Sequence, residues 1–189
     1  MTEPQAPPID FPVEGITDGQ IRLRLRADTD TPAVINACRD PEVPRWTRVP
    51  DDYDDHAAAE WESEARRQRQ SGEGLHLVIA DAQTDEFLGS IGTREISRPD
   101  GRWDIGYFLA PEARGRGVMT RAVRMLSEWA FDNLPVDRLE ITMEPANGPS
   151  RAVAERAGYT FEGVLRSHTM IKGTRRDMAM YSLLRGELR

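Results

Sequence analysis

The residues Arg114-Gly115-Arg116-Gly117-Val118-Met119-Thr120 combine the side chains and the backbone freedom that hold an anion. They lie between an alternating apolar run, Trp103 to Leu109, and a helix-patterned run, Arg121 to Leu134. A turn that opens a helix presents backbone N–H groups without intrahelical partners, and the helix dipole adds positive potential there. Glycine leaves the backbone uncovered, so a phosphate can approach it closely. Arg114 and Arg116 can add charge-assisted hydrogen bonds. The chemistry indicated is phosphate or pyrophosphate binding; the plainer alternative is a tight turn into a helix with its arginines in solvent. A Walker-type loop needs Lys and then Ser or Thr after its last glycine, whereas Val118 follows Gly117. The dinucleotide fingerprint needs a third glycine where Thr120 stands, and it normally follows the first strand of its unit.

Other chemistry-bearing residues are few. The single cysteine, Cys38, excludes an internal disulfide and a cysteine-based zinc site, and its apolar neighbours (Ala33, Val34, Ile35, Ala37) favour core packing over nucleophilic work. Asn147 and Ser150 flank a Gly-Pro pair ahead of a short helical run; taken alone, they suit turn formation and capping. The acids Asp51, Asp52, Asp54, Asp55, Glu60, Glu62 and Glu64 crowd one stretch, as a solvated face or as an attractor of cations.

Charge divides the chain. Residues 1–100 hold 21 acids against 11 arginines, net −10; residues 101–189 hold 11 acids against 14 Lys and Arg, net +3. The total of −7 argues against general nucleic-acid binding. It accommodates an anionic ligand in the second half and a cationic one near the first. No apolar run approaches the ~18 residues of a membrane span, and the acidic, proline-bearing start is not a secretory signal. The expected compartment is the cytoplasm, with no membrane association.

The elements that must position these residues follow from periodicity. Residues 1–19 form an extended or disordered arm, and 20–189 a single domain. Ile21 to Arg26 alternates as a strand. Asp30-Thr31-Pro32 opens a short helix to about Cys38 or Arg39. Asp40 to Asp52, with Pro41, Pro44 and Pro50, reads as a shaped loop. Asp54 or Asp55 caps a helix to about Gln70, closed by Gly72 and Gly74. Strands at Leu75–Asp81, Phe87–Ile96 and Trp103–Leu109, joined by short turns, form an antiparallel meander. Met119, Ala122, Val123, Leu126, Ala130 and Leu134 share one helical face. A strand at Arg138–Met143 follows, so strand, helix and strand make a right-handed parallel crossover whose two strands can part beside the helix. A helix at Arg151–Ala157 and two strands, through about Ile171 and from Asp177 to Leu184, complete the chain.

Two blocks in this order resemble the GNAT superfamily of N-acetyltransferases. Arg114, Gly117 and Met119 follow the Arg-x-x-Gly-x-(small) pattern of its coenzyme A pyrophosphate loop, although Met119 departs from the usual Gly or Ala. Gly-x-Gly-x-Met-Thr, then Asn147-x-x-Ser150, a helix ending in Gly158-Tyr159, Glu162-Gly163-x-x-Arg166 and Asp177 before an alternating strand are similar to the RimJ/RimL ribosomal-protein N-terminal acetyltransferase branch. The likeness spans roughly Ile21 to Leu184. It implies a mixed α+β fold: about seven strands in a mixed, mostly antiparallel sheet, four main helices, and a central parallel pair that splays.

It also implies acetyl transfer from acetyl-CoA to a primary amine, without a metal or a covalent enzyme intermediate. By the resemblance, Phe108 and Leu109 meet the pantetheine, Arg114, Gly115, Arg116, Gly117, Val118, Met119 and Thr120 the pyrophosphate, and Asn147 and Ser150 the coenzyme. Ser150 matches the serine that protonates the leaving thiolate; the tyrosine of many other family members is replaced by Ala154. The branch's glutamate base falls on Thr169. The substitutes considered are His168, which strand alternation turns away unless a bulge intervenes, and Glu95 or Asp104 acting through water; Glu162 reads as structural. The leading acceptor is a protein or peptide N-terminus. A small amine such as an aminoglycoside or polyamine, and a non-catalytic coenzyme A-binding module, stand as alternatives, in a monomer or a homodimer.

Overall fold

The structure is a computed structural model that describes residues 6–188. Its elements are β1 (Ile16–Thr17), β2 (Ile21–Arg24), α1 (Thr31–Cys38), α2 (Glu42–Trp46), α3 (Asp55–Ser71), β3 (Gly74–Asp81), β4 (Phe87–Ser97), β5 (Arg102–Leu109), α4 (Val118–Asn133), β6 (Arg138–Met143), α5 (Gly148–Arg156), β7 (Thr160–Ile171) and β8 (Thr174–Leu184). One mixed sheet runs β1-β2-β3-β4-β5-β6-β8-β7. Every neighbouring pair is antiparallel except β5–β6. The meander and the parallel crossover follow the periodicity. The count is eight strands rather than seven, because the two-residue β1 pairs with β2.

Among the described residues the α-helices number five rather than four. The segment expected as a shaped loop contains α2. Pro44 falls in the first turn of that helix, where its missing N–H has no intrahelical partner to lose. Other expected elements shift at their edges: β2 ends at Arg24 rather than Arg26, and α5 starts at Gly148 rather than Arg151. α4 starts at Val118, so the tail of the glycine turn is already helix. β8 starts at Thr174, because Lys172 and Gly173, both at positive φ, close the hairpin tightly. The Asp30 carboxylate does not cap α1; it turns back to Arg24 at 2.7 and 2.8 Å.

α4 lays Met119, Ala122, Val123, Leu126 and Ala130 against the sheet, where they join Leu75, Leu77, Ile79, Ile91, Trp103, Ile105, Leu139 and Tyr181 in the main core. At ~1.5–3 kcal/mol per fully buried large apolar side chain, this layer dominates the stability. The opposite face carries a smaller cluster: Val34, Ile35, Cys38, Val43, Tyr53 and Ala58, with Phe108 and Phe87 against it. Cys38 is 1% exposed and burial pushes its thiol up to about 12, which suits packing rather than nucleophilic chemistry.

Residues 1–5 of the expected arm lie outside the described residues. From Ala6 on, the segment is tied down. Ile9 N–H donates to Arg69 C=O at 2.9 Å, and Phe11 meets Trp129 edge-on with ring centroids 4.9 Å apart. Among the described residues no helix is long and apolar enough to cross a membrane.

Candidate active site

The site begins where the sheet divides. β5 and β6 pair only from Arg102–Asp104 to Arg138–Glu140. Beyond Asp104, β5 stays with β4 while β6 stays with β8, so a gap opens between them. Charge clamps its closed end. Glu140, 2% exposed, accepts from Arg102 at 2.9 and 3.2 Å and from Arg138 at 2.7 Å. Burial opposes the Glu140 carboxylate, but the two guanidiniums outweigh it and hold the group below its usual range. Arg138 also grips Glu162, whose pKa falls to about 2, consistent with a structural part for Glu162.

Ala110 N–H donates to Leu88 C=O at 2.9 Å, on the β4 side. Backbone groups alternate sides along a strand, so those of Tyr107 and Leu109 face the gap. Leu109 C=O there accepts from Arg114 Nη2 at 3.1 Å. Such a row can take an extended ligand as an added strand. From the gap a cleft of about 920 Å³ runs out under α2 and α3.

At one end stands the glycine turn. Gly115 and Gly117 adopt φ of 74° and 78°, and a Cβ built on either meets no heavy atom within 4 Å. Gly117 precedes the 16-residue α4, and no side chain caps the first turn of that helix. Its leading N–H groups are therefore free to meet an anion. Arg114 and Met119 line the cleft; Gly115, Arg116, Val118 and Thr120 complete the turn beside them. Arg114 is braced by Asp40 at 2.8 Å, a partner that distance along the chain had hidden. Phe108 lines the cleft and packs on the smaller cluster.

The β6–α5 turn faces β5 across the gap. Asn147 Oδ1 accepts from Ser150 N–H at 3.1 Å and so caps α5, and both residues line the cleft. Ser150 Oγ lies 3.0 Å from Tyr107 Oη. Burial pushes the Tyr107 phenol up to about 12, against the opposing effect of the Ser150 hydrogen bond, so the phenol keeps its proton. Reading Trp103 to Leu109 as a strand gave Tyr107 no role beyond alternation; its partner is 43 residues away.

The far wall carries charged side chains and two glycines. Register places His76 beside Gly92 and Gly92 beside Gly106, and two residues along places Arg94 beside Asp104. All five line the cleft, as do Glu60 and Glu64 of α3. Asp104 and Arg94 form an ion pair at 3.0 Å. Burial raises the Asp104 carboxyl, and Arg94 only partly offsets it.

The structure does not bring Glu95 or His168 to the cleft. Glu95 sits one residue past the Arg94–Asp104 pair, so alternation turns it to the other face, where it pairs with Arg98. A bulge does occur between Leu165 and Thr169, with Ser167 at φ 53°. It leaves Thr169 on the cleft wall and His168 exposed.

A sheet parted beside a glycine turn, with a capped serine at the parting, fits an acyltransferase that takes its acyl group from a phosphate-bearing thioester. The profile of the acetyltransferase (GNAT) domain matches residues 20–160, and the chain belongs to that family. It is an acyltransferase with acetyl-CoA as co-substrate. It is 29% identical over 175 residues to the uncharacterized N-acetyltransferase p20 of Bacillus licheniformis, across 93% of this chain and 98% of that one. The microcin C7 self-immunity acetyltransferase MccE, solved with acetyl-CoA and AMP, shares the fold with a TM-score of 0.81 at 23% identity, over 90% of this chain and 96% of that one. RimL, a ribosomal L7/L12 alpha-N-protein acetyltransferase solved with coenzyme A, does so with a TM-score of 0.80 at 19% identity, over 92% and 98%.

Proposed function

We infer that this chain acetylates the N-terminal α-amine of a protein or peptide. The observation that carries this reading is the Arg94–Asp104 pair: the Asp104 carboxylate, on the cleft wall where β5 and β6 part, is engaged by a guanidinium. Such a site suits an amine that gives up its proton easily. An α-amine, near 7.7–8.0, needs less than about 1 pH unit of help at neutrality; lysine, near 10.4, needs more than about 3. The RimJ/RimL-like motifs and the RimL fold support the same acceptor. Protein N-termini are acetylated where proteins are made, so the enzyme would act in the cytoplasm. Residues 20–189 form the catalytic domain, to which residues 6–19 add β1 and the core side chains Ile9 and Phe11.

In this reading the pyrophosphate sits on the turn from Arg114 to Thr120 and the pantetheine lies along Phe108 and Leu109, beside Asn147. The neutral amine attacks the thioester carbonyl, whose oxygen is met by a gap-facing backbone N–H. Sulfur leaves toward Ser150 Oγ. Tyr107, still protonated, can donate to Ser150 Oγ, 3.0 Å away, which frees the serine proton to point at sulfur. A thiolate near pKa 8.5 is weakly basic, so a hydrogen bond suffices to stabilise it before solvent protonates it.

A second reading, a small polycationic amine, is favoured by Glu42, Glu60 and Glu64 on the cleft wall. Thiol release from acetyl-CoA, measured over peptides with free N-termini, blocked peptides with internal lysine, polyamines and aminoglycosides, separates them. Turnover confined to free N-termini supports the α-amine reading. Turnover confined to polyamines or aminoglycosides overturns it.

A further inference from the structure

We propose that His76 is the general base of this reaction, drawing the acceptor's proton through one water that stands over Gly92. The assignment rests on the acetyl-transfer reading above and names the group that reading leaves open.

Three observations carry it. The first is the row across the sheet, His76 on β3, Gly92 on β4 and Gly106 on β5. Neighbouring strands lie ~4.8 Å apart, so His76 Cα stands two spacings, ~10 Å, from Gly106. The ring spans part of that distance. A Cβ built on Gly92 would fall 2.8 Å from His76 Nδ1, and one built on Gly106 meets nothing within 4 Å. The two glycines thus leave the sheet surface between Nδ1 and the gap without side chains of its own.

The second observation fixes which nitrogen is basic. Gln68 donates through Nε2 to the Glu64 carboxylate at 2.5 Å, which leaves Gln68 Oε1, 2.9 Å from His76 Nε2, as an acceptor. His76 Nε2 must therefore carry the proton, and Nδ1 presents its lone pair over Gly92. Trp61 holds the ring edge-on with centroids 5.2 Å apart.

The third is the charge around the ring. Glu62 and Glu64 face it from α3, Arg94 from β4 with Asp104 behind it, and Arg26 shares its second cavity beyond Trp61. Burial, then Arg94, lower the imidazole below its ordinary value, and the two glutamates only partly oppose this. His76 is thus unprotonated at neutral pH and able to accept.

The step balances. One proton passes from the bound ammonium through the water to Nδ1. The amine nitrogen bonds to the carbonyl carbon and the C–S bond breaks. The nitrogen's second surplus proton passes to solvent, and coenzyme A leaves as the thiolate, hydrogen-bonded by Ser150 until solvent protonates it. His76 then returns its proton to solvent.

The test is kcat/KM against pH for the parent protein, His76→Gln and Gln68→Leu with a free-N-terminus peptide, alongside acetyl-CoA affinity and melting temperature. The parent should hold its rate below the pKa of the amine. His76→Gln should bind acetyl-CoA normally, lose at least about 10-fold at neutral pH, and show its acid limb at the amine's own value, near 7.7–8.0. Gln68→Leu, which keeps the imidazole but frees its proton to either nitrogen, should lose about 3- to 10-fold at neutral pH, the scale of one lost orienting hydrogen bond. An acid limb unmoved in His76→Gln overturns the assignment, as does a limb that moves in Asp104→Asn instead. A parent that binds acetyl-CoA yet turns over no peptide counts against the acceptor reading, not against His76.

Discussion

Gly117→Glu tests the coenzyme end most directly, because the structure separates its costs. Gly117 has φ 78°, and no heavy atom lies within 4 Å of a Cβ built there. A side chain therefore fits, and the strain of a left-handed non-glycine residue is about 1–2 kcal/mol. Against a domain stability of about 5–15 kcal/mol, the variant should fold. The new carboxylate, however, stands at the mouth of α4 where the pyrophosphate is proposed to bind. Taking ~6 Å between charges and an effective dielectric of ~20, each phosphate charge is repelled by about 3 kcal/mol. Two such charges give about 5–6 kcal/mol, a loss of roughly 10⁴-fold in acetyl-CoA affinity. Gly117→Ala carries the backbone strain without the charge and should lose no more than about 10-fold. Calorimetric titration with acetyl-CoA, paired with thermal unfolding, reads both quantities. Added salt should recover part of the Glu variant's loss and little of the Ala variant's, since only the first is Coulombic. A folded Gly117→Glu protein that binds acetyl-CoA within about threefold of the parent would refute the pyrophosphate assignment, because no screened charge at that position could cost so little.

Three further expectations rest on different parts of the site. Ser150→Ala should lower kcat by about 10- to 100-fold with acetyl-CoA affinity nearly unchanged, since the hydrogen bond to a developing thiolate is worth about 1.5–3 kcal/mol; Tyr107→Phe should fall less, and the double variant no further than Ser150→Ala alone. A double variant that loses the product of the two single effects would show that the hydroxyls act separately. Glu140→Gln should destabilise the clamp by about 2–3 kcal/mol, below the usual figure for a buried pair because Arg102 and Arg138 are partly exposed. The folded Glu140 pKa is depressed, so its stabilisation is present above the unfolded value and is lost as pH falls through the folded one. Parent and variant melting curves should therefore converge in acid, and a constant gap down to low pH would contradict the clamp. Reversing Glu60 to Lys should raise KM for a cationic acceptor several-fold, while reversing Glu62, already paired with Arg26 and Arg66, should do less. Equal KM in all three proteins would return the acidic stretch to plain solvation.

The parts of the fold legible in the sequence were those fixed within about twenty neighbouring residues. Helix α4 declared itself by its apolar face, α3 by its Asp54 cap and the left-handed Gly72, and the meander by its turns. The glycine turn was legible for the same reason, since its chemistry is backbone and contiguous. Helix α2 was hidden because three prolines read as a loop, although a first-turn proline costs a helix little. The two residues of β1 carry too little pattern to show; only pairing with β2 makes them a strand.

The acceptor side was illegible for a different reason: register, not residue type, decides which groups meet. Glu95 and Asp104 are equivalent candidates on paper. Once Arg94 is set beside Asp104, alternation turns Glu95 to the opposite face, and no inspection of either segment alone supplies that alignment. The same alignment lines up His76, Gly92 and Gly106, residues that are 16 and 14 positions apart and individually unremarked. It also explains why a threonine can stand where the branch has its glutamate. Thr169 reaches the cleft from β7, across the hairpin from Arg176, whereas the lane over Gly92 and Gly106 reaches the gap from β3. A base on one wall makes a carboxylate on the other dispensable, provided the acceptor's amine is no more basic than a mildly basic imidazole can serve. The lane, the engaged Asp104 and the proposed preference for a low-pKa amine are therefore one constraint, and the pH dependence of His76→Gln bears on all three.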